Sequence, residues 1–288
     1  MGVHVAIGNL KGGVGKSTTA LMLAEGLAWY HGKKVLVLDL DPQANLSFML
    51  LSRQGVEETD RAGRSLARYL HALTNAQPED LSSFLYTGAT DVRDLRRGLM
   101  DGRVDLLPSL PGLRFEELAY ERRAYRTGPE DADPARDLAK AFKRDLEWAA
   151  ITYDLILIDC PPGFSTLSRA GLLLADIIVS PTIADAISVR ALKDFVDIGL
   201  HEHLNLGNLP HYLVITKFLG NSETEQQRTL LRKTYKVFEP SVQHKVDVIR
   251  AATPRRPNQV RGFREKWGSS TGVVKLLANE ANRVFFSA

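Results

Sequence analysis

The chain has 288 residues, of which 44% are hydrophobic and 25% charged, and its formal net charge is +3. No apolar run approaches the roughly 20 residues of a membrane span, and no basic segment followed by an apolar stretch opens the chain. We therefore expect a globular protein without a membrane span or signal peptide, and the single cysteine, Cys160, excludes an internal disulfide and fits the cytoplasm.

The charge is unevenly distributed along the chain. Residues 1–200 contain 23 Lys and Arg against 27 Asp and Glu, whereas residues 201–288 contain 14 against 7. A basic C-terminal third favours contact with a polyanion such as nucleic acid or a lipid surface. A solvated basic face would explain the charge equally well.

The first elements form a strand–helix–strand unit. Residues 3–8 are a short apolar run, residues 16–31 carry apolar side chains at helix spacing before Gly32, and residues 34–39 are a second apolar run. This order predicts a βαβ unit with a right-handed crossover.

Residues 52–147 are rich in Arg, Asp and Glu and show weaker periodicity, so we expect a helical elaboration there. Its predicted elements are helices near 65–73, 113–125 and 135–150, a short strand at 104–108 and a loop at 126–134.

The regular alternation then returns. The predicted strands are 153–159, 176–181, 212–216 and 246–249, and the predicted helices are 186–200, 223–238 and 270–285. Strands alternating with helices predict an α/β fold with a doubly wound, mostly parallel sheet flanked by helices. We expect one domain over residues 1–288, with the elaboration at 52–147 and a basic C-terminal region at 228–288.

A glycine-rich loop lies between the first strand and the first helix. Its residues are Lys11, Gly12, Gly13, Val14, Gly15, Lys16, Ser17 and Thr18. Glycines let backbone N–H groups turn toward a phosphate, the second lysine supplies a charge, and the serine hydroxyl can hold magnesium. The loop therefore predicts a phosphate-binding site at the start of the helix.

The loop departs from the common phosphate-loop pattern in one respect. Position 10, where that pattern has glycine, is Leu10, and a second lysine, Lys11, stands before the glycines. This form resembles the deviant Walker A loop of the ParA/MinD family of P-loop ATPases. The resemblance implies ATP and Mg²⁺ as ligands, Lys16 on the β- and γ-phosphates, and Lys11 reaching the partner's nucleotide across a homodimer interface.

Two further motifs follow strands that should end at the same sheet edge. Asp39 and Asp41 lie on one side of the second strand's tip, where two carboxylates beside Ser17 suit a magnesium shell and a positioned water. By the family resemblance Asp41 orients or deprotonates the attacking water, and Asp39 supports the loop lysine and the metal. Asp159, before Cys160-Pro161-Pro162-Gly163, resembles the family's Walker B aspartate and would hold magnesium through a water.

The nucleotide base is harder to place. Thr216 follows a strand where a GTPase would show Asn-Lys-x-Asp, but position 219 is Leu, so we favour ATP over GTP. Thr216 and Pro254 are candidates for contact with adenine, although a plain loop at a strand end explains them as well.

The C-terminal region contains candidate DNA-binding cations. They are Lys233, Lys236, Lys245, Arg250, Arg255, Arg256, Arg261 and Arg264. The resemblance implies non-specific DNA binding by this region in the ATP-bound dimer, which backbone neutralisation by Lys and Arg can provide. Phe263 and Trp267 lie four residues apart among these cations and are typical of a packed helical face.

Together these features favour a ParA-like partitioning ATPase, cytoplasmic and associated with the nucleoid, whose weak hydrolysis is stimulated by a ParB-like or other cargo-bound partner. The alternative is a MinD-like membrane-associated positioning ATPase. Its C-terminal helix should be rich in Lys, but residues 273–286 contain only Lys275 and Arg283 as cations, so we expect a helix packed on the domain. An iron–sulfur relative would need a pair of cysteines, and this chain has one. For a metabolic ligase, the sequence indicates no substrate pocket.

Overall fold

The central feature of the computed structural model is a parallel β-sheet. The structure describes residues 2–77, 79–93, 95, 101–254, 256 and 259–286. Its strands are β1 (Val3–Ile7), β2 (Lys34–Asp39), β3 (Arg103–Leu107), β4 (Leu155–Asp159), β5 (Ile177–Ile183), β6 (His211–Thr216) and β7 (Lys236–Val237). They pair in the order β3-β2-β4-β1-β5-β6-β7, and every pair is parallel.

Helices cover both faces of this sheet, as a parallel sheet requires. They are α1 (Lys16–His31), α2 (Asn45–Arg61), α3 (Leu66–Thr74), α4 (Leu113–Thr127), α5 (Pro134–Asp145), α6 (Ala149–Thr152), α7 (Thr166–Leu174), α8 (Ala186–Asp194), α9 (Ser222–Thr234), α10 (Val246–Ala251), α11 (Phe263–Trp267) and α12 (Thr271–Phe286). A π-helical stretch, Phe195–His203, continues α8, and single 3₁₀ turns occupy Leu81–Phe84 and Gly268–Ser270.

The predicted doubly wound sheet is confirmed, and its strand order places the glycine loop. β1 lies between β4 and β5, so the chain changes direction across the sheet at β1. Ligands of such sheets bind beyond the carboxyl ends of the strands at this switch point. The loop that leaves β1 occupies that position.

Residues 52–147 are more closely integrated than the predicted elaboration suggests. β3 pairs with β2 from Lys34 opposite Arg103 to Leu38 opposite Leu107, so this region supplies an edge strand of the main sheet. It also holds most of α2, a helix that the sequence periodicity did not reveal. α2 is interrupted at Ser52, whose φ of 73° is left-handed.

The predicted strand at 246–249 is wrong, because these residues form helix α10. Val246 and Ile249 lie three positions apart and are both more than half exposed, which matches one face of a short helix. A short apolar run cannot be assigned by periodicity alone. The last strand is instead β7, and the helix predicted over 223–238 ends at Thr234.

The C-terminal helix α12 packs on α1, as expected for a helix that belongs to the domain. Its buried face includes Val274, Leu277 and Ala281. A Cβ at Gly26 of α1 would lie 3.0 Å from the Ala278 side chain, so glycine permits the close approach of the two helices. Among the described residues, no helix is long and apolar enough to cross a membrane.

A buried ion cluster joins α1 to α11. The Lys266 ammonium lies 2.6 Å from Glu25 and 2.7 Å from Asp91, and all three side chains are fully buried. Arg261 donates to Asp91 at 2.6 Å, and the Trp267 indole donates to Glu25 at 3.1 Å. Burial alone would raise the pKa of Asp91, but the two cations hold it below its ordinary value.

We predict that Lys266→Met lowers the free energy of unfolding by about 3–5 kcal/mol, because it leaves the buried Glu25 carboxylate without a cation and Asp91 with Arg261 alone. Urea unfolding would measure the change. The control is Arg61→Met, which breaks the exposed pair with Glu57 and should cost no more than about 1 kcal/mol. Equal losses in the two variants would contradict the prediction.

Candidate nucleotide site

The glycine loop has the backbone of an anion-binding turn. Gly13 and Gly15 have φ angles of 74° and 90°, a left-handed conformation that favours glycine. The Thr19 N–H donates to the Gly15 carbonyl at 2.8 Å, which starts α1 directly after the loop. Successive N–H groups at a helix start attract phosphate through the helix dipole.

Lys16 lies almost completely buried at this helix start. Its ammonium donates to the Lys11 carbonyl at 3.1 Å, across the base of the loop. Burial lowers the pKa of Lys16, while the neighbouring charges of Asp159 and Asp41 act in the opposite direction. The site therefore combines one buried cation with buried carboxylates.

Asp159 is a buried carboxylate at the edge of the site. It is fully buried, and within the described residues neither carboxylate oxygen has a hydrogen-bond partner. The Ser17 hydroxyl lies close enough to lower the pKa of Asp159, but burial and the negative charge of Asp39 raise that pKa well above its ordinary value. An unpartnered buried carboxylate beside a serine hydroxyl fits a hydrated cation.

Asp39 and Asp41 differ in environment. Asp39 is fully buried and accepts hydrogen bonds from the Asp41 N–H at 3.2 Å and from the Ser47 N–H and hydroxyl at 2.9 and 2.6 Å. Burial raises the pKa of Asp39 to about 7. These hydrogen bonds fix the orientation of the Asp39 carboxylate, and its metal ligation stays a prediction. Asp41 is 8% exposed, and its carboxylate accepts the Gln43 N–H through Oδ1 at 2.9 Å.

The Lys11 side chain contacts the start of α8 in its own chain. Its ammonium donates to the Ser188 hydroxyl at 2.8 Å and lies 3.9 Å from an Asp185 oxygen, at the start of α8. Asp185 and Ser188 were missed by the sequence reasoning. Asp185 caps α8 through Ser188, a pattern of Asp and Ser three residues apart that predicts a helix start but not a lysine contact.

A cavity of about 380 Å³ opens beside the loop at Gly15. Met22, Val248 and Ala252 contribute apolar surface, and Pro254 lies in its wall. The structure thus brings together the two sequence candidates for base contact, Thr216 and Pro254. The Thr216 hydroxyl donates to the Val14 carbonyl at 2.7 Å, which ties β6 to the loop.

The predicted DNA-binding residues fall into three groups. Lys233, Lys236, Arg250, Arg256 and Arg264 are exposed, and Lys245 is half-buried. Arg261 is paired with Asp91 and its side chain is only 13% exposed, so its position does not favour phosphate contact. Arg255 lies outside the described residues. Phe263 and Trp267 are buried, which confirms the packed helical face.

Cys160 has no catalytic features in this site. The thiol is buried beside Asp159, and burial raises its pKa far above the ordinary range. A thiol held in its neutral form is a poor nucleophile.

These features meet in one family. A family model described as an AAA domain matches residues 2–200, and the chromosome-partitioning ATPase Soj of Thermus thermophilus is 31% identical over 232 residues, 78% of this chain and 73% of Soj. The chain belongs to the ParA/MinD family of P-loop ATPases. In this chain the first lysine of the family's deviant loop is Lys11, and the second is Lys16.

Solved structures agree on the fold of this ParA/MinD family member. The ATP complex of an aspartate-to-alanine variant of McdA from Cyanothece superposes with a TM-score of 0.72 and 18% identity, over 98% of this chain and 96% of McdA. A cobyrinic acid a,c-diamide synthase from Mycobacterium smegmatis, bound to an ATP analogue and magnesium, superposes with a TM-score of 0.69 and 22% identity. The match covers 100% of this chain and 96% of the synthase. The fold is therefore shared by a synthase, and it does not identify the function by itself.

We predict that Ala252→Trp, which fills the cavity beside the loop, weakens ATP binding about tenfold or more by overpacking the base site. Titration with a fluorescent ATP analogue would measure this. The matched control is Ala62→Trp, since Ala62 also caps a helix C-terminus but is exposed at the end of α2. An unchanged dissociation constant for Ala252→Trp would place the base elsewhere.

Proposed function

We propose that this chain is a ParA-like partitioning ATPase. In this proposal two ATP-bound copies form a sandwich dimer that binds DNA without sequence preference, and a ParB-like or other cargo-bound partner stimulates hydrolysis and releases the dimer. The partitioning relatives support this assignment, and the cargo could be a plasmid, a chromosome or a protein assembly.

Lys11 carries most of the proposal. Its ammonium is held by Ser188 and Asp185 at the edge of the site, and its side chain remains about one-third exposed. A lysine that does not fill its own phosphate cradle is available to a second copy. Donated in trans, it would offset the charge that develops at the β–γ bridge, as an arginine finger does.

The other residues of the site would bind the phosphates, the attacking water and magnesium. Lys16 and the loop N–H groups would bind the β- and γ-phosphates, and Asp41 would orient the attacking water. Ser17 and Asp159 would hold magnesium, Asp159 through a water. Magnesium, when bound, would neutralise phosphate charge and align the leaving group.

Exposed cations of the C-terminal third support the DNA-binding part of the proposal. Lys233 lies in the last turn of α9, Arg250 in the last turn of α10 and Arg264 on α11, and all three are exposed. Neutralisation of backbone phosphates by such side chains gives sequence-independent, salt-sensitive affinity. In contrast, the apolar face of α12 is buried against the domain, which disfavours a MinD-like membrane contact.

We predict that the chain co-sediments with random-sequence DNA only in the presence of ATP, and with neither DNA nor anionic phosphatidylglycerol vesicles in ADP. Lys233→Glu should weaken DNA binding about five- to tenfold, because it replaces a phosphate contact with repulsion. The control is Lys140→Glu, which reverses an exposed lysine of α5. Binding to vesicles but not to DNA would favour the MinD-like alternative, and binding without ATP would contradict the proposal.

The trans role of Lys11 can be tested by mixing two inactive variants. We predict that Lys11→Ala and Asp41→Ala each lose ATP hydrolysis, while Lys11→Ala keeps its nucleotide affinity. Mixed before ATP is added, they should recover about a quarter of the wild-type rate, because half of the dimers are mixed and each mixed dimer has one complete site. Phosphate release would measure the rate. A mixture as inactive as its components would show that Lys11 acts within its own subunit.

A further inference from the structure

Ser109 lies at the site edge although no motif marks it. It follows β3 after Pro108 and is fully buried. Because β3 pairs with β2 in parallel, the segment after β3 lies beside the segment after β2, which carries Asp41. The two residues are 68 positions apart in the chain.

Ser109 makes two hydrogen bonds to the segment that follows β2. Its hydroxyl donates to the Asp41 carbonyl at 2.6 Å, and its N–H donates to the Ser47 hydroxyl at 2.9 Å. The Ser47 hydroxyl in turn donates to Asp39 at 2.6 Å. A single residue of the β3 edge therefore contacts the backbone of Asp41 directly and Asp39 through Ser47.

Hydrogen bonds also hold the chain on either side of Ser109 in place. The Pro108 carbonyl accepts the Leu66 N–H at 2.9 Å, at the start of α3. A few residues later Glu117 of α4, also buried, accepts the Leu167 N–H at 2.9 Å, which anchors α4 to α7. The segment from 108 to 117 is thus attached to the fold on both sides of the contact with Asp41.

We propose that Ser109 is a positioning residue for ATP hydrolysis, which acts by holding the Asp41 backbone so that the carboxylate faces the attacking water. This inference rests on the proposed function. The Asp41 N–H is bound by Asp39 and its carbonyl by Ser109, so both sides of the residue are restrained. Small displacements of a water-orienting group reduce turnover without changing nucleotide affinity.

The fold does not depend on this hydroxyl. The Asp41 carbonyl also accepts the Ala44 N–H at 2.8 Å, so removal of the Ser109 hydroxyl leaves that buried oxygen with a partner. The expected defect of Ser109→Ala is therefore in the orientation of Asp41, and thermal unfolding of each variant would verify that it is folded.

The experiment compares Ser109→Ala with the unaltered chain in ATP turnover and in nucleotide affinity. We expect turnover to fall about tenfold, the effect of one hydrogen bond on a transition state, while the dissociation constant for an ATP analogue stays within about twofold. The matched control is Ser270→Ala, which removes another buried serine hydroxyl, one without a hydrogen-bond partner among the described residues; its turnover should be unchanged.

Unchanged turnover in Ser109→Ala, or a parallel loss of nucleotide affinity, would overturn this inference and leave the proposed function standing. Absence of ATP hydrolysis by the unaltered chain would overturn the proposed function and this inference with it. If Ser109→Ala does not fold, Ser109→Cys retains a weaker donor in a similar volume and should give an intermediate turnover. Full turnover of Ser109→Cys, with no reduction, would then count against the role.

Discussion

The parallel register of β2, β4 and β1 is the constraint on which the site depends. Asp39 lies opposite Asp159 in the β2–β4 pair, and Asp159 lies opposite Ile7 at the end of β1. The register therefore places both carboxylates beside the entrance of the glycine loop. Burying them costs free energy unless cations and hydrogen-bond donors compensate. Ser47 and backbone N–H groups compensate Asp39, whereas the charge of Lys16 only partly offsets the burial of Asp159.

The burial of these carboxylates explains why the loop is surrounded by so much apolar structure. The interior positions of β1, β2 and β4 are fully buried aliphatic residues, and α1 packs over them with Leu23 and Leu27. This packing keeps the site edge dry and raises the pKa of Asp39 and Asp159. A dry edge also strengthens every electrostatic interaction made there with a phosphate.

The sequence predicts most of the sheet and the glycine loop because their signals are local. A buried strand, a turn and a helix start occupy neighbouring positions, so Lys16, Ser17 and Asp39 could be placed by pattern alone. The remaining contacts join distant positions. Lys11 meets Ser188 across 177 positions, and Ser109 meets Asp41 only because β3 is the neighbour of β2. The strand predicted at 246–249 was wrong for a different reason. Its four residues are too few to distinguish the alternation of a strand from the 3.6-residue repeat of a helix.

The ion cluster of Glu25, Asp91 and Lys266 has a consequence for recombination between relatives. Glu25 and Asp91 come from the first third of the chain and Lys266 from the last, so any crossover between residues 91 and 266 separates the lysine from both carboxylates. A chimera that takes its last third from a relative with a neutral residue in place of Lys266 would leave the buried Glu25 carboxylate without its cation. Exchange of the C-terminal region between such proteins thus requires matched residues in the N-terminal half.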